Sequence, residues 1–346
     1  MKETLFHRSQ DQESHIAALR ALLAEIDVPY GRGDRVAVKL HWGERGNESF
    51  LPPRYAREIV RWLTDQGTRP LICDTSALYS GGRRTGSDSL VTAGQHGYTE
   101  TYLGCPVVMA DGADSRDVIS LPAQYRHFDE VAVAALIEAV DGFFIFSHFK
   151  GHLESGFGGA IKNISMGFAS RPQKQRIHAD AHPVLDRDRC TGCGTCAAVC
   201  PVGAATMAAD GYPRYDLDTC IGCSQCIALC PEIALKIFWA ISPNVFQERL
   251  VEVAAALWHR MADRSIVVNA LVGITKECDC MTGHNPAIAP DIGMIGGHHP
   301  VTVDLASIDL VGEDIVTGAH PSVPWQRQFE YAREIGFVED PAGITP

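Results

Sequence analysis

Hydrophobic and polar positions follow two alternating rhythms along this chain. Arg35-VAVKLHW is a short, continuously apolar run after the turn signal GRGD, and it reads as a buried strand. The next segment, PPRYAREIVRWLTDQG, changes to helical spacing, with proline at its start and Gly67 at its end. TRPLICDTSALY and PVVMADG repeat the strand pattern on either side of the polar segment GRRTGSDSLVTAGQHG. A polar helix at about 12–26 precedes these elements, and a further helix is expected around 129–140. The apolar strand Asp141-GFFIFSHF follows, then GFGGAIKNISMG, a glycine-rich turn entering a helix. Continuously apolar strands alternating with helices predict a doubly wound α/β fold with a mostly parallel sheet covered on both faces.

That rhythm stops at about residue 183 and resumes at about 239. A helix at about 246–264, with Phe246, Leu250, Val253, Leu257 and Met261 on one face, leads to the strand Ser265-IVVNALVGIT. Val301–Val311 is expected to add another element to the same sheet. The intervening stretch carries an internal repeat of its own. The expected organisation is therefore an α/β domain begun by residues 1–182, interrupted by an α+β insertion at 183–238, and completed by 239–346.

Within the insertion, Cys190-TGC-GTC-AAVC-Pro201 is matched thirty residues later by Cys220-IGC-SQC-IALC-Pro231. Both runs have the spacing C-x2-C-x2-C-x3-C-P. Thiolates are soft, charged donors, and two-residue spacings let three of them cap three irons of a cube, while the fourth reaches the partner cluster. This predicts a ferredoxin-like module with two [4Fe–4S] clusters. Cys190, Cys193, Cys196 and Cys230 would hold cluster I, and Cys220, Cys223, Cys226 and Cys200 cluster II. Zinc is the competing reading, but it favours paired knuckles over runs of four closed by proline.

Composition narrows the partners. Twelve cysteines in 346 residues point to metal ligation in a reducing, cytoplasmic compartment. There is no membrane-length apolar run, and the first residues lack the apolar core of a signal peptide. A net charge of −12 opposes nucleic acid binding. Residues 265–346 hold eleven Asp and Glu against three Lys and Arg, a solvated acidic face or a docking surface for a basic partner. Lysine is scarce, seven against 23 arginines, and Lys39, Lys150 and Lys162 all fall where predicted strands end or helices begin.

The segments VAVKLHWGERGN, DTSALYSGGRRTGSD, SHFKGHLESGFGGAIKNISMGFASR and ITKECDC…PDIGMIG resemble an uncharacterised α/β iron–sulfur family catalogued as domain of unknown function 362. The resemblance spans nearly the whole chain and implies an α/β fold with the two-cluster module inserted. Such proteins usually carry an aspartate where this chain has Gly296-Gly-His-His299 before Pro300. The resemblance implies no particular chemistry.

Ligands of open α/β sheets bind beyond the carboxyl ends of the strands. Those predicted ends carry Lys39, His41 and Asn47, then Asp74, Thr75, Arg83 and Arg84, then His148, Lys150 and His152. Gly156, Gly158 and Gly159 precede a helix start with Lys162 and Asn163, a place suited to an anion. The glycines do not match G-x-G-x-x-G or a P-loop, so neither NAD nor ATP is expected. His148, Lys150, His152 and Lys162 are the candidates for catalysis, and Lys39, His41 and Asn163 for holding a cofactor or ligand.

Cys278 and Cys280 follow a strand and would point the same way, as a redox pair or as ligands of a further metal with His284, Asp291, His298 or His299 nearby. Cys73 and Cys105 read as core residues. Three functions fit. One is a ferredoxin-type oxidoreductase that takes electrons from a low-potential partner protein and passes them to a small anionic substrate or a small-molecule cofactor in the α/β cleft. The others are an electron carrier whose α/β part docks a partner, and a metal- or cofactor-handling protein using Cys278 and Cys280.

Overall fold

The computed structural model describes residues 4–78, 81–178, 183–217, 219–220, 225–236 and 242–338. Seven strands form one sheet: β1 (Leu5–Arg8), β2 (Arg35–Lys39), β3 (Arg69–Asp74), β4 (Val107–Met109), β5 (Gly142–His148), β6 (Ser265–Leu271) and β7 (Gly293–Gly297). Their order is β1-β7-β6-β5-β2-β3-β4. The five strands from β6 to β4 are parallel neighbours, whereas β7 lies antiparallel between β6 and β1. From β2 the chain winds outward through β3 and β4, then returns to the other side of β2 for β5 and β6. Winding therefore reverses between β2 and β5, and that reversal opens a crevice at their carboxyl ends.

All seven residues of β5 and all seven of β6 are buried, as strands covered on both faces must be. Successive side chains point to opposite faces, so they feed two cores. Phe144, Phe146, Ile266 and Val268 meet helices α1 (Gln12–Glu25) and α2 (Pro53–Asp65), through Leu19, Leu22, Ile59 and Leu63. Phe143, Ile145 and Val267 meet α3 (Ala160–Phe168) and, beyond the helix α4 (Arg171–His178), α5 (Pro243–Met261). Sequence sets the helix starts. Asp11 caps α1 by accepting from Ser14 N at 2.9 Å, and proline opens both α2 and α5.

Two expectations are corrected. The 129–140 region is not an α-helix: Glu130–Ala134 pairs antiparallel with Val118–Pro122, and a short 3-10 turn over Ala135–Glu138 follows. Its sequence EVAVA alternates, and a strand puts Val131 and Val133 into the core together, which helical spacing would not. Val301–Val311 adds no strand to the sheet. It lies in helix α6 (Pro300–Val311), with proline in its first turn and the His299 ring accepting from Val301 N at 3.3 Å. Between α4 and α5, the described residues of the cysteine-rich segment add no strand to the large sheet. Among the described residues, no helix is long and apolar enough to cross a membrane.

Helix α6 also fixes α3. Asp304 is fully buried and accepts from Ala160 N at 2.6 Å, Ile161 N at 2.9 Å and Asn269 Nδ2 at 2.7 Å. It thus caps α3 from another helix. Gly159 makes this approach feasible, since a Cβ there would stand 2.2 Å from Asp304 Oδ1. Burial pushes the Asp304 carboxyl up to about 6 against its hydrogen bonds. A raised value means the folded state takes up the proton first, so this group's stabilising contribution is full below about pH 4 and lost as pH rises through about 6. The unfolding free energy of the parent, relative to Asp304→Ala, should therefore be greater at roughly pH 4.5 than at pH 7.5, by about 2 kcal/mol. Anaerobic denaturant titration measures this, and a difference that widens with pH would contradict it.

Candidate functional site

The crevice is lined with charge. Lys39, the last residue of β2, is 1% exposed, and its ammonium donates to Asp74 Oδ1 at 2.8 Å, Asn163 Oδ1 at 2.9 Å and Leu40 O at 3.0 Å. Gly167 leaves the room, because a Cβ there would meet Lys39 Cε at 2.5 Å. The other Asp74 oxygen lies 3.0 Å from His41 Nδ1 and accepts from Arg83 Nη1 at 3.1 Å. Burial by itself would raise the Asp74 carboxyl, but Lys39, His41 and Arg83 hold it far below the usual range. Burial and Arg83 lower the His41 imidazole in turn, against the pull of Asp74. Arg83 Nε lies 3.4 Å from Glu44 Oε2.

Asn163, in the first turns of α3, closes the gap between the two halves of the sheet. Its Nδ2 donates to Lys39 O at 3.3 Å on β2, and to Phe146 O at 3.0 Å and Ser147 Oγ at 3.1 Å on β5. An amide supplies both donors and an acceptor, so one side chain satisfies strand ends that pair no further.

On the far side of the crevice stands the Cys278–Asp279–Cys280 turn. Met281 N donates to Cys278 O at 2.9 Å, and this bend, rather than alternation along a strand, brings the two cysteines together. The turn hangs on Asp279, whose Oδ2 lies 2.9 Å from His148 Nδ1 and 2.7 Å from Lys150 Nζ. His148 Nε2 faces the carbonyls of Val272 and Gly273 at 2.9 and 3.1 Å, so both ring nitrogens are engaged. The loop after β2 clamps the turn from above: Asn47 Nδ2 donates to Met281 O at 2.8 Å and Glu44 N to Asp279 O at 2.9 Å.

Cys278 is buried, with Lys162 Nζ 3.6 Å and Cys280 N 3.4 Å from its sulfur. A hydrogen bond from the Cys280 thiol, followed by the charges of Lys162, Lys150 and His41, holds the Cys278 thiol well below its ordinary range in spite of burial. The same hydrogen bond and burial push Cys280 well above it. Burial opposes the charge on Lys162, but the two cysteines outweigh it and raise the ammonium.

The structure thus gathers Lys39, His41, Asn163, His148, Lys150, Lys162, Cys278 and Cys280 at one crevice. His152 lies beside it, neutralised by burial, with Nδ1 2.8 Å from Ser155 Oγ. The four residues weighed as companions of the cysteines have other attachments. His284 is exposed near Glu48; Asp291 accepts from Gly273 N at 2.6 Å; the His298 ring lies 3.1 Å from Ser265 O; His299 caps α6. Cys73 and Cys105 are buried core thiols, pushed up to about 12 and about 11 chiefly by burial. Sequence reading passed over Glu44 and Lys174. Lys174 is pushed down to about 7 by burial, and it donates to Thr75 Oγ1 at 2.6 Å and to Ser76 O. It sits in the polar helix RPQKQRIH, where only the scarcity of lysine could have singled it out.

A second feature lies in the cysteine-rich segment. Val184–Leu185, before the first run, pairs antiparallel with Leu235–Lys236, after the second, and so closes the segment on itself. Cys190, Cys193, Cys196 and Cys230 line one open surface pocket. Three of these come from the first run and one from the second. Thr195 hydrogen bonds lower the Cys193 thiol; for Cys200, amides at 202–205 outweigh burial and do the same. Cys220 and Cys226 are described, whereas Cys223 lies outside the described residues. Arg84 Nη2 donates to Cys230 O at 2.5 Å and ties this segment to the crevice.

Asp74 is the hub of the buried charges, and Asp74→Asn would leave Lys39 and Arg83 facing each other without their shared anion. Unfolding free energy should fall by about 3–5 kcal/mol, the cost of breaking a buried pair from one side. Anaerobic denaturant melts provide the measurement, and a loss below about 1 kcal/mol, as for a surface pair, would show the hub to be solvated.

No curated protein matches the chain. A solved structure, that of the lactate racemase apoprotein from Thermoanaerobacterium thermosaccharolyticum, aligns over 85% of this chain with 12% identity and a TM-score of 0.43. The chain spans about half of that protein's length, 54%. A family model matches residues 36–309, from β2 to α6 with the whole cysteine-rich segment between them, and the chain accordingly belongs to the family described as Domain of unknown function (DUF362).

Proposed function

We propose that this protein is a low-potential iron–sulfur reductase: two [4Fe–4S] clusters on an inserted ferredoxin-like module deliver electrons to a small anionic substrate in the crevice. The observation that carries this reading is a pair of consecutive residues. Arg84 holds the carbonyl of Cys230, a cluster I ligand in this reading, while Arg83 reaches Asp74 and lies beside His41 in the crevice. A protein that only shuttled electrons would have no need to fasten its cluster ligands to a charged crevice.

The donor set suits the clusters. Four thiols line one cavity in the crossed arrangement that C-x2-C-x2-C-x3-C runs predict. Among the described residues, no three His, Cys, Asp or Glu side chains converge on a single ion, as zinc would require. A cube of four irons spaces its thiolates more widely than one ion does. Bound there, the clusters would supply electrons one at a time.

In the crevice, Lys39, Lys150 and His148 are occupied by structural partners, and among the described residues Lys162 contacts only a sulfur. Lys162 is therefore the group placed to meet an anion. The protein's electron donor or acceptor would be another low-potential protein.

Anaerobically isolated protein should contain about eight irons and eight acid-labile sulfides per chain. Cys230→Ala should damage the cluster held by the first run although Cys230 lies in the second; loss confined to the second-run cluster would refute the crossed ligation. Lys162→Met should leave iron content and the reduced spectrum unchanged while turnover or ligand affinity falls by roughly two to four orders of magnitude. Parent-like turnover in that variant would remove the reductase reading in favour of a carrier.

A further inference from the structure

Charge pairing in the crevice leaves one cation over. Asp74 and Glu44 answer Lys39 and Arg83, and Asp279 answers Lys150 and His148. Among the described residues Lys162 forms no ion pair with a carboxylate; Asp279 acts on it only from a distance, and its ammonium rests on the Cys278 sulfur at 3.6 Å. A buried ammonium needs a compensating anion, and the thiolate is the one at hand. That arrangement opposes a divalent metal, whose positive charge would be set beside the Lys162 ammonium. It suits sulfur chemistry. Cys278 is 5% exposed, whereas Cys280 is half-buried, and the 278–281 turn folds one thiol back to the other.

We infer that Cys278 and Cys280 form a reversible dithiol–disulfide centre that reduces small anionic disulfides. The Cys280 thiol passes its proton to the Cys278 thiolate as its sulfur attacks one sulfur of the substrate disulfide and expels the other half as a thiolate. Cys278 then gives that proton to the departing thiolate and attacks Cys280, releasing the second thiolate and closing the Cys278–Cys280 disulfide. The substrate has gained two electrons and the cysteine pair has lost two. Two electrons and one proton would restore the thiolate–thiol pair; clusters held by the two cysteine runs would supply the electrons, and this reset rests on the reductase reading above. Lys162 compensates the Cys278 thiolate each time it is released. Once Cys278 has taken the proton, the Lys162 ammonium beside it is left to meet the substrate's anionic group. The inference assigns the cleft a substrate class and a two-electron intermediary between one-electron donors and the substrate.

The test uses the intact, cluster-loaded chain, reduced and then freed of reductant under anaerobic conditions. Oxidised glutathione is added, the reaction is quenched with acid and N-ethylmaleimide, and the peptide spanning 278–280 is weighed. Both thiols should escape alkylation and appear as one internal disulfide, about tenfold faster than with the neutral 2-hydroxyethyl disulfide, the gain of one charge-assisted contact. Cys278→Ser should stall with glutathione attached to Cys280. Full alkylation of both cysteines after exposure to oxidised glutathione would overturn the inference, and equal rates with the two probes would overturn the anionic class. The reset is read separately. The disulfide form should return to dithiol when the clusters are reduced by a large protein donor that cannot enter the crevice. Clusters that stay reduced beside an unreduced disulfide would refute the cluster-to-crevice reading and leave the sulfur chemistry standing.

Discussion

Asp74 holds the crevice together. A carboxylate this deeply buried is costly unless cations surround it, and it gathers Lys39 from β2, His41 from the following loop and Arg83 from the loop beyond β3. Each of these contacts constrains a different chain segment. Lys39 passes the constraint to Asn163, which ties β2 to β5 where the winding of the sheet reverses. Arg83 passes it to Glu44, which receives Gly82 N at 2.6 Å and Arg45 N at 2.9 Å and so shapes both loops at the mouth. The crevice that an open sheet leaves at its switch point is thereby given fixed walls.

The opposite wall follows the same logic with different chemistry. Asp279 is fully buried, and His148 and Lys150 neutralise it. Its job is to hold a turn whose flanking residues are thiols. Because Lys150, just beyond β5, is spent on Asp279, and Lys39 and Arg83 on Asp74, Lys162 faces the sulfur of Cys278. Reactivity in this crevice comes from what remains after structural pairing. The number of charges present is a poor guide to it.

The cysteine-rich segment is tied to the crevice. Residues 183–236 close their own ends by a two-stranded pairing, and they leave and rejoin the α/β domain between α4 and α5. Arg84 is the described link from the crevice side, and it reaches the backbone of Cys230 rather than its sulfur. A backbone acceptor leaves the thiol available for a metal and still fixes its position, as a ligand's outer contacts do.

Local pattern determined much of this protein. Continuous apolar runs identified β2, β3, β5 and β6 because strands covered on both faces carry no polar side. Proline and glycine marked the ends of α2, and the doubled cysteine spacing marked out the cysteine-rich segment. Short alternating stretches were less legible: EVAVA at 130–134 reads with either period over so few residues, and only its pairing with Val118–Pro122 decides for a strand. Val301–Val311 is apolar enough for either element, and the buried contact of Asp304 with α3 selects the helix. The site divides in the same way. Residue type and position at strand ends pointed to Lys39, His41, Lys150, Lys162 and Cys278. Which of them are consumed by Asp74 and Asp279, and which is left beside a thiol, was decided by tertiary structure alone. A buried charge is assigned its partner by segments far apart in sequence, and that pairing leaves no local signal.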